Sequence, residues 1–319
     1  MMDWFSLFLG LFLLVGGGES LVRGASGIAL LAKLPPSVVG LTIVAAGTSM
    51  PELVVSVQSA FEGSPGIAVG NVVGSNIFNI GCIIGLAALI RPLTIAGNTV
   101  RMEWPVMALA AFQLLLLARD QSLDRLEGGF FFVALVGFTA YAIWVARHSA
   151  TQEEEEGFAE LTTVSFATRG YKAWVYNAVA ILAGVGLLAG GSTLLVHGAV
   201  SVARSSGMSE SVIGLTIVAA GTSTPELVTS LVAAKRGRDD IAVANVVGSN
   251  IFNVLGILGI TALVHPLDVP NEILERDIWW MLAMSVLLLP LMRTGFRVNR
   301  IEGALLCGVF VTYLIILVG

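Results

Sequence analysis

Residues 40–86 and 214–260 are two copies of one pattern, and that duplication limits what the chain can fold into more than any other feature. The first copy reads GLTIVAAGTSMPELVVSVQSAFEGSPGIAVGNVVGSNIFNIGCIIGL. The second reads GLTIVAAGTSTPELVTSLVAAKRGRDDIAVANVVGSNIFNVLGILGI. They align without a gap at an offset of 174, with 31 identities in 47 positions. The offset holds upstream, where Gly16-Gly17 meets Gly190-Gly191 and Gly24-Ala25 meets Gly198-Ala199. A chain built this way folds as two copies of one unit.

The unit belongs in a membrane. Only 12% of the 319 residues are charged and 56% are hydrophobic, whereas soluble domains carry about 25% charged residues. Too few polar groups remain to cover a globule, which argues against a soluble enzyme or a disordered chain. A formal charge of −5 offers no basic patch for nucleic acid. No GxxxxGK[ST] loop for a nucleotide is present, which argues against an ATP-driven pump. Cys82 and Cys307 lie in apolar runs and read as small buried hydrophobes.

A helix needs about 20 apolar residues to cross the hydrocarbon. Ten runs qualify, at roughly 4–31, 37–61, 66–90, 102–118, 127–146, 174–203, 210–234, 241–264, 278–292 and 302–318. No positively charged segment precedes the first, so a cleaved signal peptide is not expected. The expected fold is an all-α membrane protein of ten transmembrane helices in two five-helix repeats. Residues 1–146 form the first (α-repeat 36–90) and residues 174–319 the second (α-repeat 210–264). A linker at 147–173 joins them. Its run Glu153–Glu156 reads as a solvated acidic stretch. Five spans is an odd number, so the halves enter the membrane from opposite sides as an inverted repeat. Such transporters put their site near the midplane, at interrupted helices in matching positions. Of the 17 basic residues, 12 fall in loops on the side opposite the N-terminus. The positive-inside rule then places both termini outside and the linker in the cytoplasm.

Each repeat carries a motif that should break its second helix, Gly47-Thr48-Ser49-Met50-Pro51-Glu52 and Gly221-Thr222-Ser223-Thr224-Pro225-Glu226. Proline and glycine should free carbonyls upstream, at Ala45 and Ala46 and at Ala219 and Ala220. Unpaired backbone in a membrane must line a cavity or bind something. Ser49-x-x-Glu52 and Ser223-x-x-Glu226 have the form of capping boxes. A cap contributes about 1 kcal/mol, less than the roughly 2.5–3.5 kcal/mol that a mid-membrane carboxylate costs. Two matched glutamates therefore point to function. The next span adds a row spaced by four, hence on one helix face: Asn71, Ser75 and Asn79, matched by Asn245, Ser249 and Asn253. Every donor in this set is an oxygen, and His148, His197 and His265 lie outside it. Oxygen ligation suits Ca²⁺ and Na⁺ over zinc or copper, and Mg²⁺ dehydrates too reluctantly. His197 aligns with Arg23; both sit late in a long span, at the interface or the gating surface, and read as structural and not as ligands.

The two GTS-x-PEL and G/A-NVVGSNIFN blocks resemble the α-repeats of the calcium/cation antiporter superfamily, which includes the sodium/calcium exchangers. The overall look is of a compact prokaryotic member. The resemblance implies that Glu52 and Glu226 bind calcium with the Thr48 and Thr222 carbonyls. It implies a sodium site near Ala45, Thr48 and Ser75 and its mirror near Ala219, Thr222 and Ser249, with Ser49 and Ser223 lining the same sites. Asn79 and Asn253 correspond to positions flanking the centre. One of these is aspartate in some sodium-coupled relatives, and here both are asparagine, which leaves the coupling ion open. The family's gating implies that spans 1 and 6 slide over an eight-span core, with Gly16–Gly18 and Gly190–Ser192 as contact surfaces.

The leading expectation is a secondary antiporter that exchanges Ca²⁺ for Na⁺ across a prokaryotic inner or cytoplasmic membrane by alternating access. It needs no cofactor; its expected partners are Ca²⁺ and Na⁺ (or H⁺) and the lipid bilayer, with no nucleic acid or nucleotide, and its oligomeric state is left open. An H⁺/Ca²⁺ antiporter uses the same fold and glutamates, and a cation channel is a third reading. An intramembrane hydrolase would need two carboxylates in unlike environments, which the near-perfect symmetry opposes.

Overall fold

The structure, a computed structural model, describes residues 2–32, 34–149, 171–205 and 219–318. Most of the expected linker, including Glu153–Glu156, lies outside the described residues, as does the first part of the expected span 210–234. Among the described residues, ten helices have 12 residues or more. They are α1 (Met2–Ala32), α2 (Met50–Phe61), α3 (Pro65–Phe78), α4 (Trp104–Leu117), α5 (Arg125–Ser149), α6 (Tyr171–Ser205), α7 (Thr224–Lys235), α8 (Asp239–Ile251), α9 (Ile278–Arg293) and α10 (Arg300–Val318).

Among the described residues, seven segments are long and apolar enough to cross a membrane, and Pro36–Thr48 with Met50–Phe61 makes an eighth, bent by 44°. The segment through α9 is helical from Ile273, with Arg276, Asp277 and Arg293 crowding its ends. The segment through α7 is described from Ala219 onward.

Four two-residue strands qualify the all-α expectation. β1 (Leu93–Thr94) pairs with β4 (Arg297–Val298), and β2 (Ser122–Leu123) with β3 (Leu267–Asp268), all antiparallel. Each ladder ties a turn of the first repeat to a turn of the second. Strands this short leave no alternation for a sequence pattern to show.

α1 and α6 run antiparallel with their backbones in contact. Gly10 faces Gly191 and Leu195, and Gly17 faces Gly184 and Leu188. A Cβ on Gly17 would sit 2.9 Å from the Leu188 nitrogen, so only glycine permits this approach. With no water to be expelled in lipid, such close packing is what holds two helices together. The glycine runs divide their roles. Gly17 and Gly191 face the partner helix, Gly16 and Gly190 meet open space, and Gly18 meets Val228 and Thr229 of α7. The pair has its own apolar cluster of Leu14, Leu21, Ala25, Ala29 and Leu188 with Val39 and Val44, separate from the main core.

The main core gathers around α3 and α8. α3 continues through a π-turn at Asn79–Ile84 into Gly85–Ile90, and α8 through Phe252–Leu258 into Gly259–Val264. These two continuous spans are the most deeply buried of those long enough to cross a membrane. π-turns are rare and concentrate at functional sites, because the extra residue re-aims every side chain beyond it.

Candidate functional site

The bent segment places Glu52 in the first turn of α2, and the segment described from Ala219 places Glu226 in the first turn of α7, each 1% exposed. Proline suits this turn, because its missing N–H is unpaired there anyway. The expected capping boxes do not form. Neither Ser49 nor Ser223 makes a side-chain cap to its own helix. The Ser49 N–H instead donates to the Ala45 carbonyl at 3.0 Å, so the backbone donor such a box would serve is already satisfied. That bond also corrects the expectation of a freed carbonyl at Ala45, which takes a second contact from Thr48 Oγ1 at 3.2 Å. Ala220 likewise accepts from Thr224 Oγ1 at 3.0 Å. The carbonyls that lose a donor to Pro51 and Pro225 are four residues earlier, at Gly47 and Gly221. Ser192 Oγ donates to the one on Gly221.

Freed from capping, the serines cross between repeats. Ser49 Oγ donates to Glu226 Oε1 at 2.8 Å, and Ser223 Oγ to Glu52 Oε1 at 3.0 Å. Ser223 Oγ also lies 2.9 Å from Ser75 Oγ. Thr48 Oγ1 is 3.3 Å from Asn245 Oδ1, and Thr222 Oγ1 is 3.3 Å from Asn71 Oδ1. The amide nitrogens of Asn71 and Asn245 turn back to Ser56 Oγ (3.1 Å) and Ser230 Oγ (2.9 Å). They also approach the Glu52 and Glu226 carbonyls. The two repeats thus meet at one centre, each supplying hydroxyls to the other's carboxylate.

The structure brings Thr48, Ser49, Glu52, Ser75, Thr222, Ser223 and Glu226 into this network. Asn79 and Asn253 lie beyond it on the same two buried spans, each 1% exposed. Ala45 is buried beside it, and Ala219 is where the described part of the second segment begins. Among the described residues, nine buried side-chain oxygens have no hydrogen-bond partner, and five of them belong to the repeated motifs: Glu52 Oε2, Glu226 Oε2, Asn79 Oδ1, Asn253 Oδ1 and Ser249 Oγ; the others are on Glu103, Thr229, Asp239 and Thr261. A buried unsatisfied acceptor costs about 1–3 kcal/mol, and more if charged. Of the five motif oxygens, four form repeat-matched pairs, and all are oxygens of the kind a hard cation takes as ligands. Among the described residues no three His, Cys, Asp or Glu side chains converge. Beyond the two carboxylates, an ion here must therefore use neutral oxygens.

Sequence reasoning missed Asn76 and Asn250, one residue outside the four-residue row, although both copies carry them. It also missed the buried acids Glu103 and Asp277, matched at the same offset of 174. Glu103 accepts from Thr99 Oγ1 at 2.7 Å, and Asp277 pairs with Arg276 and Tyr313.

Residues 2–144 and 176–319 match the sodium/calcium exchanger protein family. The chain belongs to that family. CaxA of Alkalimonas amylolytica is 40% identical over 312 residues, covering 96% of each chain. The sodium/calcium exchanger MaX1 of Methanosarcina acetivorans is 32% identical over 344 residues, covering 98% of this chain and 97% of its own. The structure of the sodium-calcium exchanger NCX_Mj, soaked with zero Na⁺ and Ca²⁺, superposes with a TM-score of 0.84 at 28% identity over 99% of both chains. As a sodium/calcium exchanger family member, the protein is a multi-pass membrane antiporter for cations.

Proposed function

We propose that the protein exchanges Ca²⁺ for Na⁺ by alternating access to one midplane site shared by its two repeats. In this reading the chain has ten spans. Those of residues 1–146 and 174–319 form inverted five-helix halves, with both termini outside a cytoplasmic membrane. Calcium is cargo held chiefly by Glu52 and Glu226, which together match its charge. Sodium takes the hydroxyl and carbonyl oxygens beside each glutamate, around Thr48, Ser49, Ser75 and Ala45 and around Thr222, Ser223, Ser249 and Ala219. Asn79 and Asn253 contribute their amide oxygens.

The observation that carries this reading is the crossed serine–glutamate pairs, each leaving one carboxylate oxygen orphaned, with orphaned oxygens of Asn79, Ser249 and Asn253 on the two buried spans beside them. With both asparagines neutral, the ionised site carries a formal charge of −2. One Ca²⁺ balances it, as do two Na⁺ or two protons, whereas a third Na⁺ leaves an excess charge in a low-dielectric interior. Protonation would need the carboxylates alone. The neutral oxygens placed beside them suit an alkali cation, and relatives named as sodium/calcium exchangers match along the whole chain.

Calcium uptake into vesicles preloaded with Na⁺ tests the assignment, at equal pH on both sides and with a protonophore present. Uptake should persist there and stop when choline replaces internal Na⁺. Uptake that follows an imposed pH gradient and ignores Na⁺ assigns proton coupling instead.

A further inference from the structure

Asn79 and Asn253 can serve as ligands only if their amide oxygens, not their NH₂ groups, face the ion. Nothing within either residue decides this, because an amide turned by half a rotation has nearly the same shape. The decision is made across the repeat boundary. Asn79 Nδ2 donates to Asn250 Oδ1 at 2.9 Å, and Asn253 Nδ2 donates to Asn76 Oδ1 at 2.9 Å. Asn76 and Asn250 are themselves fixed in one sense. Asn76 Nδ2 faces the Asn250 carbonyl at 3.3 Å and Met281 Sδ at 3.5 Å. Asn250 Nδ2 faces the Asn76 carbonyl at 3.4 Å and Met107 Sδ at 3.6 Å.

Turning either amide over would set oxygen against a carbonyl oxygen and NH₂ against NH₂. Each alternative loses its hydrogen bonds in a buried place where no water replaces them. All four asparagines are at most 2% exposed. Asn79 Oδ1 and Asn253 Oδ1 are the atoms left over, buried and without a partner.

We propose that Asn76 and Asn250 are positioning residues for the exchange site: a reciprocal amide clasp between the repeats that turns the oxygens of Asn253 and Asn79 toward the ion. The proposal rests on the reading of Asn79 and Asn253 as site oxygens. It adds that each repeat aims a ligand belonging to the other. The clasp carries no charge, so it sets oxygen orientation without changing the site's formal charge.

The test is calcium titration of the purified full-length protein in detergent, with melting midpoints measured in parallel. The variants are Asn76→Ala, Asn253→Ala and the two together. Removing an outer partner of a metal ligand typically weakens affinity about 10–100-fold. Asn76→Ala should therefore raise the calcium dissociation constant about tenfold or more, and Asn253→Ala should do at least as much. The double variant should match Asn253→Ala alone, because Asn76 acts through that side chain. Asn250→Ala with Asn79→Ala gives the mirror cycle. If an alanine variant does not elute as folded protein, Asn76→Ser or Asn250→Ser replaces it and should show the same direction. A lowered melting midpoint with unchanged calcium affinity makes the clasp merely structural and overturns the proposal, as does an additive double variant. Unchanged affinity in both Asn253→Ala and Asn79→Ala overturns the site reading for these residues together with the clasp. A silent Asn76→Ala beside an impaired Asn253→Ala sinks the clasp alone.

Discussion

The two repeats are alike at the site and unlike where α1 and α6 cover it. On one side α1 lies along α7: Gly18 meets Val228 and Thr229, and Arg236 Nε donates to Glu19 Oε2 at 2.6 Å. Arg23 shares the same carboxylate. On the other side α6, apart from its long contact with α1, touches the first repeat at Ala45–Thr48. The corresponding face of α2 exposes Val54 (61%) and Phe61 (64%), whereas Val228, the counterpart of Val54, is packed. The charges differ as well. Glu19, Arg23 and Arg236 correspond to Thr193, His197 and Glu62. Thr193 bonds its own helix at Ala189, and Glu62 accepts from Gln58. Among the described residues, a nearly symmetric sequence is therefore packed asymmetrically, with α1 against α7 and the matching face of α2 exposed. An ion pair is available to reinforce only the covered side.

The largest expected effect ignores this asymmetry. Glu52→Gln and Glu226→Gln should each abolish calcium transport while the protein still elutes normally in detergent. Each removes one of two carboxylates facing a dication. If one variant transported at the wild-type rate while the other did not, the repeats would not share a single centre.

Helix contact should come next. Gly17→Ala places a Cβ 2.9 Å from Leu188 nitrogen, whereas Gly16→Ala meets nothing within 4 Å. Overpacking costs typically about 1–3 kcal/mol, so Gly17→Ala should lower the melting midpoint in detergent and Gly16→Ala should not. Equal midpoints would mean that α1 and α6 do not touch as described.

The two hydroxyls of the second row give a smaller contrast. Ser75 Oγ is 2.9 Å from Ser223 Oγ, while Ser249 Oγ has no partner. Ser75→Ala should cost about 1 kcal/mol of stability and Ser249→Ala almost none. Both should weaken the sodium dependence of exchange more than calcium binding, because calcium draws mainly on the carboxylates. Sodium dependence untouched in both would misplace the sodium sites.

The ion pair should show the smallest effect. A partly exposed pair contributes about 0.2–1 kcal/mol, or roughly a twofold change in how often α1 lifts from α7. In a Cys82→Ala, Cys307→Ala background, Val54→Cys should react with a water-soluble maleimide and Val228→Cys should resist. Adding Glu19→Gln should speed labelling of Val228→Cys about twofold, and high salt should do the same through screening. Glu19→Arg with Arg236→Glu should restore the resistance. Labelling of Val228→Cys that ignores all three changes would remove the ion pair from the account.

Much of this architecture was legible in the sequence because duplication and apolar period are local properties of a chain. The offset of 174, the two glutamates and the row of Asn71, Ser75 and Asn79 needed no knowledge of neighbouring helices. What stayed hidden depended on which helix faces which. Ser49 and Glu52 have the spacing of a capping box, yet each bonds across the repeat boundary, where sequence separation carries no signal. Asn76 falls off the four-residue row, and a π-turn beginning at Asn79 ends the regular phase on which that row depends. Glu103 sits at a span edge, where a charged residue reads as interfacial. The packing of α1 on α7 and the exposure of α2 turn on residues that differ between the repeats, Glu19 and Arg236 against Thr193 and Glu62, and not on the shared motifs.

Whether the repeats build one site or two is decided by counting calcium. Titration of the purified wild-type protein should give one Ca²⁺ per chain. Glu52→Gln and Glu226→Gln should each remove that binding entirely, along with any calcium-dependent rise in melting temperature. Two Ca²⁺ per chain, with each variant keeping one, would contradict a shared centre and leave the crossed serine–glutamate bonds as packing between two separate sites.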